Sequence, residues 1–224
     1  MFAGHVGAGL AFARVDRRVN VAVFCLAAML LDAVLWAFVL LGWESVIVPA
    51  DYASTHFLHF SFPYSHGLLA SLGWSALAGA VAFVWYPGLS SRKVRGALAV
   101  AAVVFSHWIL DALVHVPELP VIGAGSAQVG LGLWKHMPFV LSVEGLILAA
   151  GLWLFLPGAR LSRPRKAGLA ALGILTLVFT VLGMTVAAPP PSILAMAAIS
   201  LLTIGVLCAL AYWLGRPAAG ATKE

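Results

Sequence analysis

The sequence predicts an all-α fold, a polytopic integral membrane bundle of six transmembrane helices preceded by a short N-terminal re-entrant or interfacial helix, and three observations predict it. Hydrophobic residues make up 62% of the chain and charged residues only 9%, against roughly 25% charged residues in an ordinary soluble domain, and the mean hydropathy is +1.03. Apolar runs recur at the length of roughly 20 residues that a helix needs to cross hydrocarbon. Basic residues gather in the connections between those runs, abundant in every second one and nearly absent from the others, which is the pattern of the positive-inside rule.

Residues 2–13 (FAGHVGAGLAFA) are apolar but too short to cross, and no basic stretch precedes them as in a signal peptide, so they predict a re-entrant or interfacial helix. Spans follow at about 20–42, 66–86, 96–116, 138–157, 167–187 and 192–214. Each is expected to be a helix, because an open strand leaves backbone groups unbonded in hydrocarbon. Arg14, Arg17 and Arg18 precede the first span; Arg92, Lys93 and Arg95 join the second to the third; Arg160, Arg163, Arg165 and Lys166 join the fourth to the fifth; Arg216 and Lys223 follow the sixth. Twelve of the 13 basic residues therefore fall on one side, with Lys135 alone on the other, and both termini are expected in the cytoplasm. The same distribution assigns the high isoelectric point to topology rather than to nucleic-acid binding. Cys25 and Cys208 both lie in apolar runs and offer no disulfide framework.

The chain reads as one membrane domain, 1–224, in which residues 1–157 carry the polar groups and 158–224 form a two-helix apolar scaffold with no His and no acid before Glu224. Gly168, Gly173, Gly183 and Gly205 would let those two helices approach their neighbours closely. The long connections, 43–65 and 117–137, are outward, so function is expected to face outward.

Ionisable side chains within spans cost roughly 2.5–3.5 kcal/mol each for an acid on insertion scales and mark functional sites by default. Asp32 lies mid-span in the first helix, His107 and Asp111 in the third, Glu144 about two turns into the fourth, and His66 opens the second. The spacing H-x-x-x-D-x-x-x-H puts His107, Asp111 and His115 on one helical stripe. At a rise of 1.5 Å per residue from the cytoplasmic edge, Asp32 would stand roughly 20 Å up, His107 roughly 17 Å, Asp111 roughly 23 Å, and His5 roughly 13 Å if residues 2–13 climb back into the membrane. Three acids and two or three histidines without Cys suit a divalent metal held by N and O ligands, zinc first; a self-neutralising His–Asp pair is the plain alternative. His56 and His59, three apart, would share a helical face in the outer loop and carry lower odds as ligands, as does His115. Lys135, His136, Trp134 and Trp43 read as an interfacial belt, and Cys25 as packing on the face of Asp32.

Gly4-His5, LLD at 30–32, PYSH at 63–66 and SHWILDALVHVPELP at 106–120 resemble the YdjM-like family of bacterial membrane-bound metal-dependent hydrolases. The likeness runs over about residues 1–150, takes in QVGLGLW at 128–134 and Glu144, and is that of an outlying branch. It implies His5, Asp32, His66, His107 and Asp111 as the polar core. Two departures stand out: better-known members carry a D-x-D-H type motif where this chain has Asp32 followed by Ala33, and a Thr where it has Val114 and His115.

The expected function is a metal-dependent hydrolase of the bacterial cytoplasmic (inner) membrane, with a divalent ion on His66, His107, Asp111 and Asp32 or His5, and Glu144 or Asp32 as the acid–base group. Its site at hydrocarbon depth implies a lipid or other amphipathic substrate entering sideways. The alternatives are a cation or proton transporter or channel using the same groups as a relay, disfavoured by the lack of an inverted repeat, and a non-catalytic assembly subunit.

Overall fold

The computed structural model describes residues 1–85 and 90–216; Lys223 and Glu224 lie outside them. The chain is an all-α bundle: α1 (Phe2–Ala13), α2 (Val21–Ala28), α3 (Leu30–Leu40), the single turn α4 (Tyr52–Thr55), α5 (Leu68–Trp85), α6 (Ser90–Val114), α7 (Met137–Phe155), α8 (Arg163–Thr185) and α9 (Ile193–Leu214). The two long connections are structured. Antiparallel ribbons form between β1 (Ser45–Ile47) and β2 (His59–Ser61), with Val46 opposite Phe60, and between β3 (Leu119–Pro120) and β4 (Gln128–Val129), with Leu119 opposite Val129.

Among the described residues five helices, α5 to α9, are long and apolar enough to cross a membrane, with mean hydropathies from 1.7 to 2.6. Their outward faces carry Leu146, Trp153 and Leu202 at 70%, 74% and 66% exposure, a continuous apolar surface of the kind that lipid rather than water covers. The expected first span is two helices, α2 and α3, bent by 52° at Met29 and together making a sixth. No Pro or Gly lies between Val21 and Leu40 to break it. The cause is a side chain entering the backbone ladder: the Ala28 carbonyl accepts from His107 Nδ1 at 2.7 Å. The second span starts later than expected, at Leu68, leaving His66 in the turn ahead of it.

The N-terminal helix does not lie on a surface. Ala3, Gly4, His5, Val6, Gly7, Gly9, Leu10 and Ala13 are buried, and α1 packs most extensively against α7, with α2, α6 and α8 around it. The contact with α7 is backbone on backbone: a Cβ on Gly7 would stand 2.6 Å from Leu148 Cα, and one on Gly151 2.2 Å from the Gly7 carbonyl oxygen. Small residues therefore set this crossing. In the last two helices Gly168 lies under Leu214 and Gly173 against Leu152, as expected, whereas Gly183 and Gly205 face open space.

At the basic end of the bundle Asp16 is buried and holds Arg92, and it accepts from the Arg18 backbone N–H at 3.1 Å. Burial acts to raise the Asp16 carboxyl, but the Arg92 and Arg18 interactions outweigh it and hold the group below the usual carboxylate range. Asn20 caps α2 by accepting from the Ala22 N–H at 3.0 Å and donates to the Tyr212 carbonyl at 3.0 Å, tying α2 to α9.

Candidate metal centre

Three segments converge on one buried point. From α6 come His107 and Asp111, one turn apart; from the turn before α5 comes His66; from α3, just past the bend, comes Asp32. His107 Nε2 is 3.2 Å from His66 Nε2 and 3.1 Å from Asp111 Oδ2, and Asp111 Oδ2 is 3.4 Å from His66 Nε2. Asp32 Oδ1 stands 3.7 Å from each of the two imidazole nitrogens. His66, His107 and Asp111 are at most 2% exposed, while the Asp32 side chain keeps 22%.

Partners on the far side of each ring decide the tautomers. A carbonyl oxygen only accepts, so His107 Nδ1 carries the proton given to Ala28, and in the neutral ring its Nε2 presents a lone pair. Ser65 Oγ donates to Glu44 Oε2 at 2.7 Å and therefore accepts from His66 Nδ1 at 2.8 Å, which leaves His66 Nε2 as a lone pair as well. Glu44 is fixed in turn by the Tyr64 and Ser65 backbone N–H groups, each at 2.8 Å. Burial pushes the Glu44 carboxyl above its ordinary value, against the pull of those hydrogen bonds from Ser65 and Tyr64. Glu44 does not stand out in the sequence, because it lies in a loop where no helical period points at it, and Ser65 appears there only as a member of the PYSH motif.

Two imidazole lone pairs and two carboxylate oxygens thus face one another with no donor among them. A single proton bridges two acceptors, not four. With metal–ligand bonds of about 2.0–2.1 Å the edges of a tetrahedral site measure about 3.3 Å, close to the 3.1–3.7 Å separations here. The donor set fits a divalent ion.

His5, supplied by α1, completes the group. Its Nε2 is 3.0 Å from Asp111 Oδ1, its ring stacks on that of His107 at 3.6 Å and 7°, and among the described residues its buried Nδ1 has no hydrogen-bond partner. His5, Asp32 and His107 form a second set of candidate ligands within 4.8 Å of one another. The Met1 amine also reaches Asp111 Oδ1 at 3.1 Å. Glu144 stands beside the cluster rather than in it: its Oε2 accepts from the Gly4 N–H at 3.1 Å, placing a carboxylate on the first turn of α1.

Other expected residues fall elsewhere. The stripe on α6 ends at Asp111, because the helix stops at Val114 ahead of Pro117 and the Leu131 and Gly132 N–H groups cap the Ala112 and His115 carbonyls. His115 instead bonds Glu118 Oε1 through Nδ1 at 2.6 Å and packs on Trp134 at 4.0 Å, so it is no ligand of the cluster. His56 and His59 share no helical face: His56 ends α4 in a left-handed conformation and His59 is an exposed residue of β2, 3.8 Å from Glu118. Trp134 is buried rather than interfacial, whereas Trp43 and His136 are exposed as a belt would be. Cys25 packs in the apolar core.

A cavity of about 520 Å³ opens on the cluster. Asp32, His66, Asp111 and Glu144 line its polar wall, Trp36, Phe60 and Trp134 a second, and residues of α8 and α9, Thr180 and Ile204 among them, a third. α8 and α9 therefore line the cavity as well as packing in the bundle. Their part in the cavity left no trace in the sequence because the lining side chains are apolar or hydroxylic. Comparison of the chain with protein-family models, with curated proteins and with solved structures gives no match.

Proposed function

We propose that the protein is a membrane-embedded metal-dependent hydrolase, an outlying member of the YdjM-like family, acting on a lipid or other amphipathic substrate from the outer half of a bacterial cytoplasmic membrane with both termini inside. The observation that carries the reading is the convergence of two imidazole lone pairs and two carboxylates at 3.1–3.7 Å with no donor between them, an arrangement that a bound cation relieves. His66, His107, Asp111 and Asp32 would hold the ion, with His5 as an added nitrogen, and zinc suits this N and O set best. A divalent ion bound there supplies Lewis acidity toward a scissile carbonyl or phosphoryl group and acidifies water.

The chain's own groups do the rest. Ser65 and the Ala28 carbonyl keep the two Nε2 atoms aimed inward, so the ligands need no reorganisation. Asp32, the most open of the four, faces the cavity and holds the side from which substrate arrives. Glu144 lines the same cavity, has its carboxylate on the first turn of α1 through the Gly4 N–H, and would take and return a proton. The apolar walls exclude water, which strengthens each of these interactions. Metal analysis of the purified protein in mild detergent tests the reading: about one tightly held transition metal per chain is expected, and a metal-free protein that remains folded overturns it in favour of a proton or cation relay.

A further inference from the structure

We propose that the cavity seats an acyl lipid with an uncharged head, its chain in the slot between α8 and α9 and an oxygen of its head region on the Trp134 N–H. The inference deepens the hydrolase reading, resting on it for the fate of the lipid but not for its binding.

Continuity comes first. The same cavity is lined by Asp32, His66 and Asp111 at one end and by Phe179, Gly183 and Ile199 at the other, and its volume of about 520 Å³ lies within the range of about 300–1,000 Å³ usual for small-molecule sites. Phe179 and Ile199 are 54% and 56% exposed, and no atom lies within 4 Å of a Cβ built on Gly183. The slot is therefore apolar, unfilled by side chains and open sideways between two spanning helices, the direction from which a hydrocarbon chain arrives.

The head is selected by charge and by one orphaned donor. Asp32, Asp111 and Glu144 line the cavity; among the described residues no Lys or Arg does, and the Met1 amine there is already paired with Asp111 at 3.1 Å. A phosphate-bearing head would thus meet carboxylates without the guanidinium or ammonium partners such groups need. Trp134 is 8% exposed and lines the cavity, and among the described residues its buried indole Nε1–H has no acceptor. A buried donor without a partner is costly, and an indole N–H can only donate. An ester, amide or hydroxyl oxygen of a neutral lipid satisfies it.

The probes are a photoreactive amide-linked analogue of a monoacylglycerol, with a diazirine at the chain end, and its phosphate monoester, each applied to the full chain in mild detergent with metal content measured on the same sample. The neutral probe is expected to label peptides of α8 and α9 at least tenfold more than the phosphate. Gly183→Trp, which projects into open space, is expected to cut labelling at least fivefold with metal content unchanged. Trp134→Phe keeps the ring and is expected to weaken the probe about five- to tenfold, the worth of one hydrogen bond. Labelling spread over the outer faces of α5 and α7, equal labelling by the phosphate, or labelling indifferent to Gly183→Trp would each overturn the proposal. A metal-free protein that labels as described leaves it standing while removing the hydrolase reading, and a metal-loaded protein that fails to label does the reverse.

Discussion

Ser65→Ala tests the proposed site without touching a ligand. The side chain removed is fully buried and joins Glu44, at 2.7 Å, to the Nδ1–H of His66, at 2.8 Å. Its loss leaves that N–H without an acceptor and Glu44 with its two backbone donors only, each unsatisfied buried group costing about 1–3 kcal/mol. The imidazole is then free to rotate or change tautomer, and removing such an outer partner typically lowers metal affinity about 10- to 100-fold, or about 1.4–2.8 kcal/mol. Competition against a chromophoric chelator measures this directly, with Ser65→Thr, which restores the hydroxyl, expected to stay within about threefold of the parent. If Ser65→Ala bound metal as tightly as the parent while His107→Ala lost it, the inference that Ser65 orients His66 would be wrong.

The remaining predictions follow from the same geometry. His107→Ala and Asp111→Asn are each expected to abolish stoichiometric metal, whereas the exposed His136 tolerates Ala; equal loss in all three would point to misfolding. Gly151→Leu drives a side chain into the Gly7 backbone, 2.2 Å from its oxygen at the Cβ alone, and should lower the detergent-solubilised Tm by more than about 5 °C; an unchanged melting curve would mean that α1 does not dock there. The Asp16 carboxyl is held below its ordinary value, so its stabilising effect is complete above the usual carboxylate pKa and fades as pH falls through the lower folded value; Asp16→Asn should therefore destabilise at neutral pH and flatten the acid limb of the stability profile. Reporter fusions after residues 50 and 125 are expected outside and those after 92 and 163 inside, and a cytoplasmic signal at 125 would refute the orientation.

Residues that violate their surroundings were the legible ones. Asp32, His66, His107 and Asp111 are polar groups in apolar runs, and the cost of that placement picks them out before any geometry is known; His5 added only the requirement that α1 fold back. What sequence periodicity misses is whatever depends on backbone departures. The bend at Met29 arises from a hydrogen bond to His107, a residue far along the chain, and no local propensity encodes it. His115 shares the spacing of Asp111 but not its direction, because the helix ends one residue earlier. Glu44 and Ser65 act through a loop that hydropathy treats as featureless, and the slot of α8 and α9 consists of residues that any lipid-facing helix carries.

Because Gly7 and Gly151 meet backbone to backbone, α1 lacks its most extensive docking surface until residues 137–155 have left the ribosome. Although made before the other helices, α1 is thus among the last to settle, while α3, the turn bearing His66, and α6 emerge in time to gather the four candidate ligand atoms without it. His5 then arrives as a closing piece over that cluster. Stalled chains ending before Met137 should leave His5 open to imidazole-directed modification, and chains extended past Phe155 should protect it; equal reactivity at both lengths would show that α1 docks without its partner helix.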